Sequence, residues 1–151
     1  MRPRRIGSLI VLGGVVLAAG CASSLKTEQR SQRGQQGVSF EKGAVILTGS
    51  ALTDGPGTVL ATMSGKVPNF RVQRRMGRCP DITLRNSVSF TSVDVNPHVY
   101  VDGTLTTDTC ILETLQSDDV ERVEVYPQGF TTRPGYGTHA HGLILVFMRS
   151  G

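Results

Sequence analysis

Near its C-terminus the chain contains six consecutive apolar residues, Leu143 to Met148, directly after Gly142. The segment has no charged or polar side chain, so neither of the two faces that a strand alternates between is suited to water. Such a run is typical of a central strand that is covered on both faces. The sequence therefore predicts a layered fold built around a sheet with residues 142–148 in its middle.

Other segments of the chain switch between strand and helix patterns. Short apolar or alternating runs predict strands, and a threonine or aspartate before an apolar run predicts a helix start. The predicted strands are Ala44 to Thr48, Phe70 with Val72, Ile82 with Leu84, His98 to Asp102 (followed by a turn at Gly103), and Val120 to Tyr126. The predicted helical segments are Thr58 to Met63, a short helix carrying Ile111, Leu112 and Leu115 behind an N-cap at Asp108-Thr109, and a turn at Ser117 to Asp119. This interleaving predicts an α+β domain with a small mixed β-sheet and short helices.

The N-terminus has the pattern of an export signal. Arg2, Arg4 and Arg5 precede an apolar stretch from Ile6 to Leu17, and Ala18-Ala19-Gly20 lead into Cys21. This ending resembles the lipobox of bacterial lipoproteins, which implies a signal peptide over residues 1–20 and a lipid anchor on Cys21. A plain secretory signal and a membrane-spanning anchor are the alternatives, although the apolar run is shorter than the roughly 20 residues that span a bilayer.

The residues after Cys21 divide into a tether and a domain. Residues 21–37 are dominated by Ser, Gln, Arg, Lys and Gly, too few of them apolar to offset the entropy of ordering. Residues 38–151 are long enough for one domain with a modest core. The residue directly after Cys21 is Ala22 and not Asp. By resemblance to a known sorting rule for bacterial lipoproteins, this implies an outer-membrane lipoprotein that faces the periplasm.

The net charge of +4 depends on the predicted signal peptide. Of the 16 Lys and Arg residues, three lie within residues 1–20, which leaves 13 basic residues against 12 acidic ones. A nearly neutral mature chain gives no support for nucleic-acid binding. The local excess at Arg71, Arg74, Arg75 and Arg78 is compatible with anionic lipid headgroups, an acidic partner or a solvated loop.

Three cysteines minus a lipidated Cys21 leave the pair Cys79 and Cys110. An oxidising compartment favours a disulfide between them, and two buried free thiols are the alternative. A metal site is less favoured, because neither cysteine belongs to a Cys-x-x-Cys pair.

Several of these segments occur in an order that resembles a known family, the plug domain of TonB-dependent outer-membrane receptors. The matching segments are Ile82 to Asn86, Pro97 to Gly103, Asp119 to Val125, Tyr136-Gly137 and Gly142 to Val146, preceded by Val59 to Ala61 and Val67 to Val72. The resemblance implies a plug-like fold over roughly residues 57–149. A receptor barrel needs many strands of about ten residues each, so we expect a stand-alone plug domain that does not transport.

No nucleophile with a matching base and orienting acid emerges from the sequence, so we expect no catalytic residues, no cofactor and no enzymatic activity. The leading expectation is a lipid-anchored module that docks onto another envelope protein. A small-ligand or metal-binding lipoprotein is the alternative, with His139 and His141 as weak metal candidates and His98, Asp94 or Asp102 as a third ligand. The surrounding Gly and Pro residues favour an ordinary surface turn for both histidines.

Overall fold

The computed structural model describes residues 37–55, 57–84 and 96–151. Its strands are β1 Val38–Glu41, β2 Ala44–Thr48, β3 Arg71–Gln73, β4 Asp81–Thr83, β5 His98–Val101, β6 Thr104–Leu105, β7 Val120–Tyr126 and β8 Leu143–Met148. Its helices are α1 Ser50–Thr53, α2 Val59–Lys66 and α3 Ile111–Thr114, with a 3-10 turn at Ser117–Asp119. The predicted signal peptide, Cys21, the tether up to residue 36, and Asn86 and Asp94 lie outside the described residues.

Six of the strands in the described residues form one mixed sheet in the order β1-β2-β7-β8-β5-β6. Neighbouring strands in this sheet pair antiparallel, except that β5 and β8 run parallel to each other. The strands β3 and β4 form a separate antiparallel pair. This mixed sheet with short helices confirms the α+β fold class.

The strand β8 lies between β7 and β5, as its continuous apolar sequence predicts. Ile144 and Val146 pack into the larger core cluster together with residues of α1, α2 and α3. Leu143 and Leu145 point to the opposite face, where they pack with Tyr100 and Tyr126. Both faces of the strand are therefore buried.

The first face of the sheet is covered mainly by helices. Thr58 caps α2, because its hydroxyl oxygen accepts a hydrogen bond from the Ala61 amide at 3.3 Å. Val59, Leu60 and Met63 of this helix are buried against the sheet. The helix predicted at Thr58 to Met63 is thus present and continues to Lys66.

The turn between β5 and β6 follows from two residues with positive φ, Asp102 at 46° and Gly103 at 84°. An Asp-Gly pair with both residues in this region is the favoured two-residue hairpin connection. The Asp102 carboxylate accepts a hydrogen bond from the Met148 amide at 2.9 Å, which ties the hairpin to the end of β8. Asp102 therefore has a structural role in the turn.

The helix α3 begins later than the predicted cap implies. Its N-cap residue is Cys110, and the Asp108 carboxylate accepts a hydrogen bond from the Cys110 amide at 2.9 Å. The Thr109 hydroxyl instead donates to the Pro80 carbonyl at 2.6 Å and is buried. The predicted cap at Asp108-Thr109 is therefore displaced, because Thr109 holds the segment before β4.

Candidate functional site

The second face of the sheet carries a buried carboxylate, that of Glu124. Arg122, Glu124 and Tyr126 alternate along β7 with Val123 and Val125, which point into the helix-covered core. A charged residue at such an alternating position is ordinarily solvated. Here Glu124 is 0% exposed, with Arg133 of the loop after β7 hydrogen-bonded to its carboxylate. Nothing in the alternating pattern of its own strand predicts that Glu124 is buried.

Within the described part of the chain, three side chains hydrogen-bond to the Glu124 carboxylate. Arg133 donates from Nε to Oε2 at 2.7 Å and from Nη2 to Oε1. Arg122 donates from Nε to Oε1, and the Tyr126 hydroxyl donates to Oε2 at 2.7 Å. A buried charge is tolerated when it is paired and hydrogen-bonded in this way. The cluster places two guanidinium groups around one carboxylate and therefore has a local excess of positive charge.

These contacts determine the protonation state of the cluster. Burial by itself raises the pKa of Glu124, but the hydrogen bonds from Arg133 and Tyr126 and the charges of Arg122 and Arg133 outweigh it. The pKa of Glu124 therefore lies below its ordinary value of 4.5. Burial raises the pKa of the Tyr126 phenol above 10.0, with a further contribution from the Glu124 carboxylate. At neutral pH the cluster contains an ionised carboxylate and a neutral phenol.

A cavity of about 220 Å³ opens beside this cluster. Its lining combines charged, hydroxyl and apolar groups: Glu41, Lys42, Ile46, Arg122, Glu124, Tyr126, Phe130, Thr131, Thr132 and Arg133. The side chains of Arg122 and Arg133 are 34% and 41% exposed, and Phe130 is 58% exposed. The Arg133 guanidinium also lies 5.2 Å from the centre of the Phe147 ring, within cation-π range. This arrangement presents partly exposed, fixed guanidinium groups next to an exposed aromatic ring.

The two histidines proposed as weak metal candidates lie near a third. The ring of His139 stacks on that of His98, with centroids 3.7 Å apart, and the His141 ring lies 5.5 Å from that of His139. Within residues 37–55, 57–84 and 96–151, the three potential ligand atoms found within 4.8 Å of one another belong to Cys79, Asp108 and Cys110. The histidines are thus brought together by ring contact, without forming such a group of three.

The sulfur atoms of Cys79 and Cys110 are bonded in the structure, with Cα atoms 4.7 Å apart and a sequence separation of 31 residues. The bond joins the segment before β4 to the start of α3. Because both sulfur atoms are used in this bond, the group of Cys79, Asp108 and Cys110 has no thiolate available for a metal.

Comparison with known proteins gives a likeness at the level of the fold. No family model matches the sequence, and no curated protein matches it. A solved structure of the RagAB peptide importer in its "closed-closed" state matches at a TM-score of 0.55 and 18% identity. The match covers 74% of this chain and 13% of that chain. The likeness concerns the fold alone and supports a plug-like fold.

Among the described residues, no helix combines the length and apolar character that crossing a bilayer requires. The longest described helix is α2, at eight residues.

Proposed function

We propose that this protein is a non-enzymatic lipoprotein of the outer membrane whose plug-like domain docks onto another envelope protein. The observation that carries the proposal is the fold likeness to the RagAB peptide importer, which covers 74% of this chain and 13% of that one. The likeness extends to so small a part of the importer that import is not carried over with the fold. Fold does not fix function, so docking also requires a surface that suits a partner.

The surface around Glu124 has the properties of a docking face. Phe130 is exposed at the rim of the cavity, and aromatic and arginine side chains are enriched at protein interfaces. Arg122 and Arg133 are held in position by Glu124, so little side-chain entropy remains to be lost when a partner binds. These contacts favour a partner with an apolar group beside acidic residues.

The proposal is tested by cross-linking in native envelopes, followed by affinity capture and mass spectrometry. We expect a specific protein to be captured with the wild type and lost with Phe130→Ser. Phe40→Ser is the matched control, because Phe40 is also exposed, at 67%. It lies in β1 opposite Val45, and Val45 belongs to the helix-covered core, so Phe40 is on the face of the sheet that does not carry Glu124. Equal capture by both variants, or capture of no specific protein, contradicts the proposal.

Binding of a small anionic molecule is a second candidate, favoured by the cavity beside Arg122 and Arg133. Its volume of about 220 Å³ is below the roughly 300–1,000 Å³ of typical small-molecule sites, so only a small carboxylate or phosphate fits inside. Calorimetric titration with phosphate and with glutarate tests this candidate. Binding that disappears in Arg122→Gln supports it, whereas heat-silent titrations rule out these two ligands.

A further inference from the structure

The loop between β3 and β4 ends in a tight turn with an apolar residue at its tip. The Arg78 amide donates to the Arg75 carbonyl at 3.2 Å, and Gly77 has φ of 71°. A glycine with positive φ at the third position is characteristic of a type II turn. This geometry makes Met76 project outward, and Met76 is 103% exposed.

The base of this loop is fixed to the rest of the domain. The disulfide between Cys79 and Cys110 and the buried hydrogen bond from Thr109 to Pro80 both attach it to the segment before α3. A loop braced in this way loses little conformational entropy when its tip meets a binding surface. The exposure of Met76 therefore follows from the fixed geometry of the loop.

Arginines flank Met76 on both sides of the turn. Arg74 lies 3.0 Å from Glu113 and Arg75 lies 3.0 Å from Asp81, and these two arginine side chains are 71% and 62% exposed. Ion pairs at such exposed positions are weak and exchange readily for other anions. Residues 71–81 contain four arginines, Arg78 among them, and a single carboxylate, Asp81, so the loop has an excess of positive charge.

We propose that this loop binds the surface of an anionic phospholipid bilayer, with Met76 inserted at the level of the headgroups and the arginines on the phosphates. A single projecting apolar residue surrounded by cations matches a flat interface with negative charge. An acidic protein groove is the competing occupant. The lipid surface is favoured because the tether over residues 21–37 would hold the start of the domain within about 20–25 Å of a bilayer. This choice of occupant rests on the lipid anchor at Cys21 that belongs to the proposed function.

The test uses the absence of tryptophan from the chain. Met76→Trp in the full chain introduces a single tryptophan at the tip of the loop, and tryptophan emission can be excited separately from that of the three tyrosines. With vesicles of phosphatidylglycerol and phosphatidylcholine we expect its emission to shift to shorter wavelength and to be quenched by brominated acyl chains. Vesicles of phosphatidylcholine alone should produce neither effect. Because the readout is local to residue 76, attachment through the apolar N-terminus does not imitate it.

Two further variants serve as controls. Phe130→Trp places the fluorophore at another exposed position and should show no shift. The shift should be abolished in a variant that combines Met76→Trp with Arg74→Gln, Arg75→Gln and Arg78→Gln. Circular dichroism should confirm that this variant is folded.

An unchanged emission of Met76→Trp, or an equal shift in Phe130→Trp, overturns the inference. A photo-cross-linker at position 76 that captures an acidic protein while the vesicle shift is absent assigns the loop to a protein and also overturns it. Capture that depends on Phe130 is unaffected by either result, so the docking proposal is judged separately.

Discussion

Arg133 donates hydrogen bonds to both carboxylate oxygens of Glu124, although the two residues are nine positions apart and lie on different elements. The pair attaches the loop after β7 to the second face of the sheet. Without it, the described residues would leave Glu124 only the hydrogen bonds from Arg122 and Tyr126 to offset its burial. The path of this loop and the position of Arg133 on the proposed docking face both depend on the pair.

Replacing Arg133 tests that dependence. Arg133→Ala should lower the free energy of unfolding by about 1–3 kcal/mol, because it removes two charge-assisted hydrogen bonds from a buried carboxylate. Arg133→Lys should recover part of the loss, since it restores the charge without the two-point contact. Urea unfolding measures both, and Arg149→Ala, an exposed position, should stay close to the wild type. A change in Arg149→Ala as large as in Arg133→Ala would contradict the assignment.

The lowered pKa of Glu124 predicts a pH dependence of stability. Because the pKa is below 4.5 in the folded chain, the unfolded chain binds more protons at this group. The stabilisation is therefore fully present above about pH 4.5 and is lost as the pH falls toward the folded value. Glu124→Gln should be less stable at neutral pH and should flatten this acidic slope. Urea unfolding over a pH series measures the acidic slope of the free energy of unfolding. Glu121→Gln is the matched control, because Glu121 is exposed on the same strand and its replacement should leave that slope unchanged.

The features that the sequence predicted well are those whose physical cause lies within a few adjacent residues. The six apolar residues of β8 show burial on both faces directly, and Asp102-Gly103 shows the hairpin turn through its own backbone preferences. The edge strands β1 and β6 are short and mostly exposed, so they have no such pattern and were not predicted.

Glu124 could not be recognised in the same way, because its burial is produced by partners elsewhere. Its own strand alternates as an ordinary half-exposed strand does, and the face it occupies is covered by residues after β7 that include few apolar side chains. The contact with Arg133 depends on the path of that loop. The only sequence signal was the placement of Arg122 and Tyr126 two residues to either side, on the same face.

The disulfide between Cys79 and Cys110 should contribute measurably to stability. Closing a loop of 31 residues is worth about 3–4 kcal/mol in the chain-entropy model. Cys79→Ser combined with Cys110→Ser should lower the free energy of unfolding by about that amount, as should a thiol reductant on the wild type. The reductant should have no further effect on the double variant. Alkylation of both thiols in a non-reducing peptide map of the wild type would refute the bond.

The predicted lipid anchor is tested by mass. Wild type extracted from membranes should carry acyl chains on a chain that begins at Cys21, and Cys21→Ser should carry none. The next residue, Ala22, has no nucleophilic side chain that could accept the lipid instead. Intact-mass analysis decides between the three interpretations of the N-terminus: a plain secretory signal gives a shortened chain without lipid, and a spanning anchor gives the full-length chain.

The central strand gives the sharpest test of the fold. Leu145 is fully buried, and both neighbouring strands leave no path to water for a charge at this position. Leu145→Asp would bury an unpaired carboxylate and should cost several kcal/mol, enough to unfold the domain. Leu105→Asp is the matched control, because Leu105 lies in the edge strand β6 and is 48% exposed, so its variant should remain folded. Thermal unfolding followed by circular dichroism measures both variants, and an unchanged melting temperature for Leu145→Asp would show that β8 does not occupy the centre of the sheet.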